Sequence, residues 1–216
     1  ADIRRDTYRL LGSMLSFPDA ATVALLSGAA AELRKVGNVV SQMAYFTAWD
    51  QALAAIEALP TSGVGELQES YLALFGESSD GRHVPLHESA YLVDASAVVG
   101  QMMAELEGAY ASVGMTVSVS SNQSADHAAV QTQFASHLCE MEGEAWECED
   151  LRAARRVLLR QHRFLGQHPC RWFPHLARAV LARQDAGVYP LVARAAHALV
   201  VHDADFARAL AKNLHG

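Results

Sequence analysis

Ten histidines in a chain of 216 residues raise a metal site first. His83 and His87 have the spacing of ligands on one helical face, but Pro85 between them and Gly76 and Gly81 before them place both in a loop. His162, His168, Cys170 and His175 follow one another closely. None of these sets completes a metal pattern, because the chain has no HExxH, no paired CxxC and no di-iron ExxH pair. Ordinary surface or partly buried histidines are therefore expected, with no metal and no other cofactor.

Nucleophilic catalysis has no better support. There is no GxSxG, and Cys139 lies beside Glu140, which raises a thiol pKa rather than lowering it. No phosphate-cradling GxxxxGK[ST] or GxGxxG occurs. Glu140, Glu144 and Glu147 share a helix face near Glu142, Glu149 and Asp150, and paired carboxylates can do acid–base work. A solvated face at the end of an amphipathic helix accounts for them more simply. The residue pattern is thus that of a binding protein and not an enzyme: an acidic, histidine-bearing loop, followed later by an Asp-His pair at a helix start.

The elements that must position these residues are helical. Alanine and leucine are abundant, six prolines are present, and β-branched runs are short, which predicts an all-α bundle of roughly ten helices. Helices are expected over 4–15, 20–36, 39–58 and 64–75, with Asp19 as an N-cap. After the loop, Tyr91, Ala95, Val98, Met102, Leu106, Ala109 and Val113 recur at steps of three and four, widened by Leu92, Val99, Met103 and Tyr110. A stripe so broad predicts a central, heavily buried helix. Residues 115–125 lose the helical period and read as an extended linker between helical halves at about 1–114 and 126–216 of a single domain. In the second half, helices are expected from Asp126, from Leu151 to a stop at Pro169, from Trp172 to about Gln184, and over 188–214 with a break near His202-Asp203.

Half of the residues, 51%, are apolar, and the net charge is −7. The charge is uneven: residues 1–125 hold 14 acidic and 6 basic side chains, residues 126–216 hold 10 and 11. An acidic half disfavours nucleic acid and suits a basic partner. No run of about 18 apolar residues exists, so a soluble chain without membrane insertion is expected. Ala1-Asp2-Ile3-Arg4-Arg5 shows no signal pattern, and three cysteines make no disulfide framework, so a cytoplasmic location is expected.

Three stretches together resemble the TorD/DmsD/NarJ family of molybdoenzyme-specific chaperones. The first is YLALFGESSDGRHVPLHESAYL, Tyr71 to Leu92. The second is Asp126-His127. The third is RFLGQHPCRWFPHLARAV, Arg163 to Val180, through Phe164, His168, Trp172 and Pro174. They occur in family order, and the resemblance covers nearly the whole chain. Many members carry Pro-Pro-aromatic before Glu-Ser, whereas this chain has Val84-Pro85-Leu86-His87. That variant is most similar to chaperones of type II DMSO reductase-like enzymes.

The resemblance implies an all-α chaperone that binds the catalytic subunit of a DMSO reductase-family molybdoenzyme and its twin-arginine leader. It holds the subunit until the cofactor is inserted, and so prevents premature export. Glu77, Asp80 and Glu88 are placed to pair with the leader arginines, and charge-assisted bonds to guanidinium are strong. Leu86, Tyr91 and the apolar helix behind them are placed to receive its apolar part in a groove, and Pro85 and His87 are further candidates for client contact. Asp126 and His127 have two open roles, client contact or helix capping, whereas His168 and Trp172 read as structural. A monomer is expected, with a dimer as the alternative. Two other functions stay open at this point: a helical metal-dependent enzyme using the His/Asp set, and a helical regulator or scaffold.

Overall fold

A computed structural model describes residues 1–60, 63–76, 83–92, 96–117, 123–183 and 186–214. Among them the chain is all-α, with ten helices and no strand. They are α1 (Asp2–Met14), α2 (Ala20–Lys35), α3 (Gly37–Val40), α4 (Phe46–Glu57), α5 (Val64–Phe75), α6 (Ser96–Ala111), α7 (Ala128–Glu147), α8 (Leu151–Gln167), α9 (Pro169–Leu181) and α10 (Tyr189–Asn213). A single 3-10 turn, Glu88–Tyr91, stands between α5 and α6.

Local chemistry sets most of the boundaries. Asp19 caps α2, accepting from the Thr22 amide at 2.9 Å. Asp150 caps α8, accepting from the Ala153 amide at 2.8 Å. Between α7 and α8, Glu149 takes the left-handed conformation at φ 55°, which ends one helix and hands the chain to the next cap. Pro169 opens α9 directly, where its missing N–H costs nothing. The third motif's Trp172 and Pro174 therefore lie within α9 rather than at its start.

Three expected elements differ. The helix expected over 39–58 is two helices, α3 and α4, separated by a turn over 41–45. No glycine or proline marks that turn. It buries Tyr45 against the His202 ring at 5.1 Å and aims Trp49 inward, where its indole donates to Thr7 Oγ1 at 3.0 Å. Tertiary packing here overrides a continuous local pattern.

The helix expected to be central is at the edge. Only Met102, Leu106 and Tyr110 of α6 are buried, and Val98 is 47% exposed. The central helix is α7, packed between α1 and α8, with polar Gln131, Thr132, Ser136 and Glu142 among its buried residues. Breadth of the apolar stripe failed as a guide because alanine and methionine fill a stripe without fixing its depth. Finally, α10 runs unbroken through His202-Asp203.

Residues of both halves share one continuous core, in which Tyr8, Leu11 and Trp49 join Phe134, Leu138 and Leu199. At the edge of that core sits a buried charge cluster that unites α1, α7, α8 and α10. Arg4 is 7% exposed. Its guanidinium donates to Glu142 at 2.7 Å, to Asp203 at 3.0 Å and to the Gln161 carbonyl at 2.5 Å, and lies 5.3 Å from the Phe206 ring. The Tyr8 hydroxyl donates to Asp203 at 3.0 Å, and Gln161 and Trp146 donate to Glu142 at 2.8 and 3.1 Å. Burial pushes the Glu142 carboxyl up, but the Arg4 charge and those bonds more than offset it, so its pKa is lowered. Arg4→Met strands two buried carboxylates and is expected to lower unfolding stability by about 3–5 kcal/mol. Urea midpoints measure this. Arg4→Lys should recover only part of the loss, because an ammonium cannot reproduce the planar fork. A wild-type midpoint for Arg4→Met would show that the cluster adds nothing to stability.

Candidate functional site

The stretch 83–92 cannot be helical around Pro85, so its backbone groups must find partners elsewhere. They find them on two helices. The Val84 amide donates to Leu74 O of α5 at 2.8 Å. The Ala128 amide donates to Leu86 O at 2.8 Å, and the Glu88 amide to Asp126 O at 3.0 Å, so that His87 and His127 pair as one antiparallel bridge. Extended backbone turns alternate side chains to opposite sides. Val84 and Leu86 are accordingly buried, while Pro85 and His87 are half-exposed.

The Asp-His pair holds this bridge. Asp126 is 3% exposed. It accepts from the Ser89 amide at 3.1 Å and from the Ser124 hydroxyl, and lies 3.5 Å from His87 Nδ1. Burial raises its pKa, but the bonds from His87, Ser124 and Ser89 outweigh that and hold the carboxyl well below the usual range. His127 caps α7: its Nδ1 accepts from the Ala129 amide at 3.1 Å, a role open only to an unprotonated nitrogen. Burial, then the neighbouring His87, lowers its pKa to about 4, against the opposing effect of Asp126.

Glu88 turns inward. It is 2% exposed, and its carboxylate accepts from Gln131 Nε2 of α7 at 2.6 Å and from His168 Nδ1, at the end of α8, at 3.1 Å. Gln131 in turn accepts from the Trp172 indole of α9 at 3.0 Å. The three sequence motifs are therefore one hydrogen-bond chain in space. Tyr91 closes it from outside, its hydroxyl donating to Pro85 O at 2.9 Å and its ring 5.4 Å from Trp172.

Of the sequence-predicted residues, Pro85, Leu86, His87, Glu88, Tyr91, Asp126 and His127 come together here. Pro85, His87 and Tyr91 keep part of their surface outside, while Leu86, Glu88, Asp126 and His127 are inside. Glu77 and Asp80 lie outside the described residues. Sequence reasoning missed Gln131, whose signal was a polar residue in core phase, one turn after His127. Glu88 and His168 form the floor of a cavity of about 200 Å³, with Met102 and Glu105 of α6 on one side and Arg171 of α9 on another.

Among the described residues no group of three His, Cys, Asp or Glu side chains is gathered as a metal ion requires. Burial pushes the Cys139 thiol up to about 12 and Cys170 up to about 11, the opposite of a reactive thiolate. No described helix is long and apolar enough to cross a membrane. What the arrangement does is to tie the partly exposed residues 83–92 to the helical body by backbone and side-chain hydrogen bonds.

This all-helical architecture is shared with a solved structure. The crystal structure of an Archaeoglobus fulgidus protein described as a redox enzyme maturation protein superposes with a TM-score of 0.50 at 18% identity, over 96% of this chain and 91% of that one. The nitrate reductase delta subunit family model matches residues 42–178, which include the first two motifs and Phe164, His168, Trp172 and Pro174 of the third. The chain belongs to that family, the NarJ/TorD type of molybdoenzyme maturation chaperone. No curated protein matches it.

Two tests follow from the joint. His127 has a folded pKa below its unfolded value near 6.5, so its contribution is complete above pH 6.5 and is lost as pH falls through about 4. Urea unfolding should therefore weaken between those pH values, and His127→Asn, which can still cap, should flatten that slope. Glu88→Ala removes the shared acceptor of Gln131 and His168 and should cost about 1–3 kcal/mol. Equal midpoints for Glu88→Ala and wild type would show that the carboxylate does not hold the joint. Glu88→Lys tests folding as much as binding, since it places an ammonium against buried donors.

Proposed function

We propose that this chaperone engages the twin-arginine leader of its client, the catalytic subunit of a DMSO reductase-family molybdoenzyme, and retains the subunit until cofactor insertion. The observation that carries this reading is the junction of the three motifs through Glu88, Gln131, His168 and Trp172, which ties residues 83–92 to the helical body. A twin-arginine leader brings two guanidinium groups and an apolar stretch. In this reading Glu77 and Asp80 pair with the guanidinium groups, and the exposed Glu105 on the cavity wall adds a further carboxylate. The outer faces of Pro85, His87 and Tyr91, with Leu92 and Val98 beside the cavity, receive the apolar part. Glu88, Asp126 and His127 act from inside, by holding the segment in position. The histidine in place of an aromatic at position 87 suits a client of the type II DMSO reductase-like group.

The chaperone is tested with the full chain in two experiments. A tagged copy recovered from its native cells should carry a molybdenum oxidoreductase catalytic subunit; its absence from cells that express one would overturn the reading. A synthetic leader from the recovered subunit should bind with an affinity that falls as salt rises, and Glu77→Gln with Asp80→Gln should weaken it about tenfold. Binding insensitive to both changes would mean that the apolar lining alone selects the leader.

A further inference from the structure

A second charged surface is formed by α8. Arg152, Arg155, Arg156, Arg160 and Arg163 all stand on α8, and no acidic residue occurs between Leu151 and Gln167. Steps of three and four place them on one helical face, about 17 Å long at 1.5 Å per residue. All five are exposed, and among the described residues none forms an ion pair or a side-chain hydrogen bond. The opposite face buries Ala154, Leu158, Gln161 and Leu165, so the helix cannot rotate to hide its charge. Ala207 and Ala211 of α10 pack with Leu158, and the residues that follow them, Arg208 and Lys212, are exposed as well. Leu159, 38% exposed, interrupts the cationic face, and Leu151, 47% exposed, borders it at the start of the helix.

We propose that the outer face of α8 is a docking surface for an acidic, amphipathic segment of a protein partner, with carboxylates at helical spacing and apolar side chains between them. Charge complementarity selects the sign. Guanidinium forks match carboxylates bidentately, and arginine is enriched at protein interfaces. The rest of the molecule selects the class. The whole chain carries −7 and α8 carries +5, which leaves −12 on the remaining body. A nucleic-acid strand or an anionic bilayer extends its own negative charge past α8 and over that body, whereas a short helix does not. Screening over about 8 Å at physiological salt lets such a helix meet the arginines alone. The exposed leucines offer nothing to a phosphate backbone but fit apolar side chains of a partner helix. The site is independent of the leader reading, because a cationic leader cannot be its ligand.

The probe is a fluorescent helical peptide of about 12 residues, long enough to span the face, with Glu at steps of three and four and Leu between. It is titrated against the full chain at physiological salt. A scrambled peptide of the same composition, a single-stranded RNA oligonucleotide and phosphatidylserine vesicles serve as comparators. The patterned peptide is expected to bind most tightly, with the scrambled one several-fold weaker. Arg156→Glu with Arg160→Glu should lower its affinity at least about tenfold, because reversal replaces attraction by repulsion. Arg152→Gln with Arg163→Gln, a milder pair, should give a smaller loss, and leader binding and the unfolding midpoint should stay unchanged. Absence of binding, equal binding of the scrambled peptide, or indifference to charge reversal overturns the docking surface. Tighter binding of RNA or of vesicles overturns the choice of a protein partner.

Discussion

A carboxylate taken out of water must be supplied with donors, and those of Glu88 come from parts of the chain that are otherwise independent. Gln131 reaches it from α7 and His168 from the end of α8. Trp172 then fixes Gln131 from α9. Removing any donor leaves a buried polar group unmatched, so the extended segment, the start of α7 and the α8–α9 junction are mutually determined. The outward aspect of Pro85, His87 and Tyr91 follows from that inward requirement. The Arg4 cluster repeats the logic with opposite sign: one buried cation, and acceptors on α7, α8 and α10.

Helix content, the cap at Asp19 and the bounds of α5 were legible in the sequence, because they rest on local chemistry. So was the family, through a resemblance that the family match supports, although the meeting of its three motifs in space was not read from the sequence. Depth within the bundle was not legible. The apolar stripe after the loop proved to belong to a peripheral helix, while α7, which carries more buried polar residues, proved central. The polar residues in core phase were the better indicator: Arg4 beside Tyr8 and Leu11, Gln131 before Phe134, Glu142 after Leu138 and Asp203 within an apolar helix. Each is a position where burial is tolerated only because a distant residue supplies the complement, and a single sequence does not say which one. The break expected at His202-Asp203 failed for that reason, since Asp203 reads as a surface residue until Arg4 is set against it.

The same distinction separates the two charged regions. Glu88 and Asp126, the acidic residues that hold the extended segment, are absorbed into structure. The arginines of α8 are all exposed, and among the described residues none has an ion-pair partner. Charge that the fold does not use is a different kind of observation from charge that it does.

The Arg4 cluster also bears on how the chain comes into being. Arg4 and Asp203 lie 199 positions apart, and Tyr8 meets the same carboxylate across 195. During synthesis from the N-terminus, α1 can be helical early, but its buried cation has no complete set of acceptors until α10 has been made. Its apolar side must likewise wait for α7. α1 is thus translated well before the elements that secure it, and a nascent chain carries an unsheltered amphipathic helix until α7 and α10 have followed.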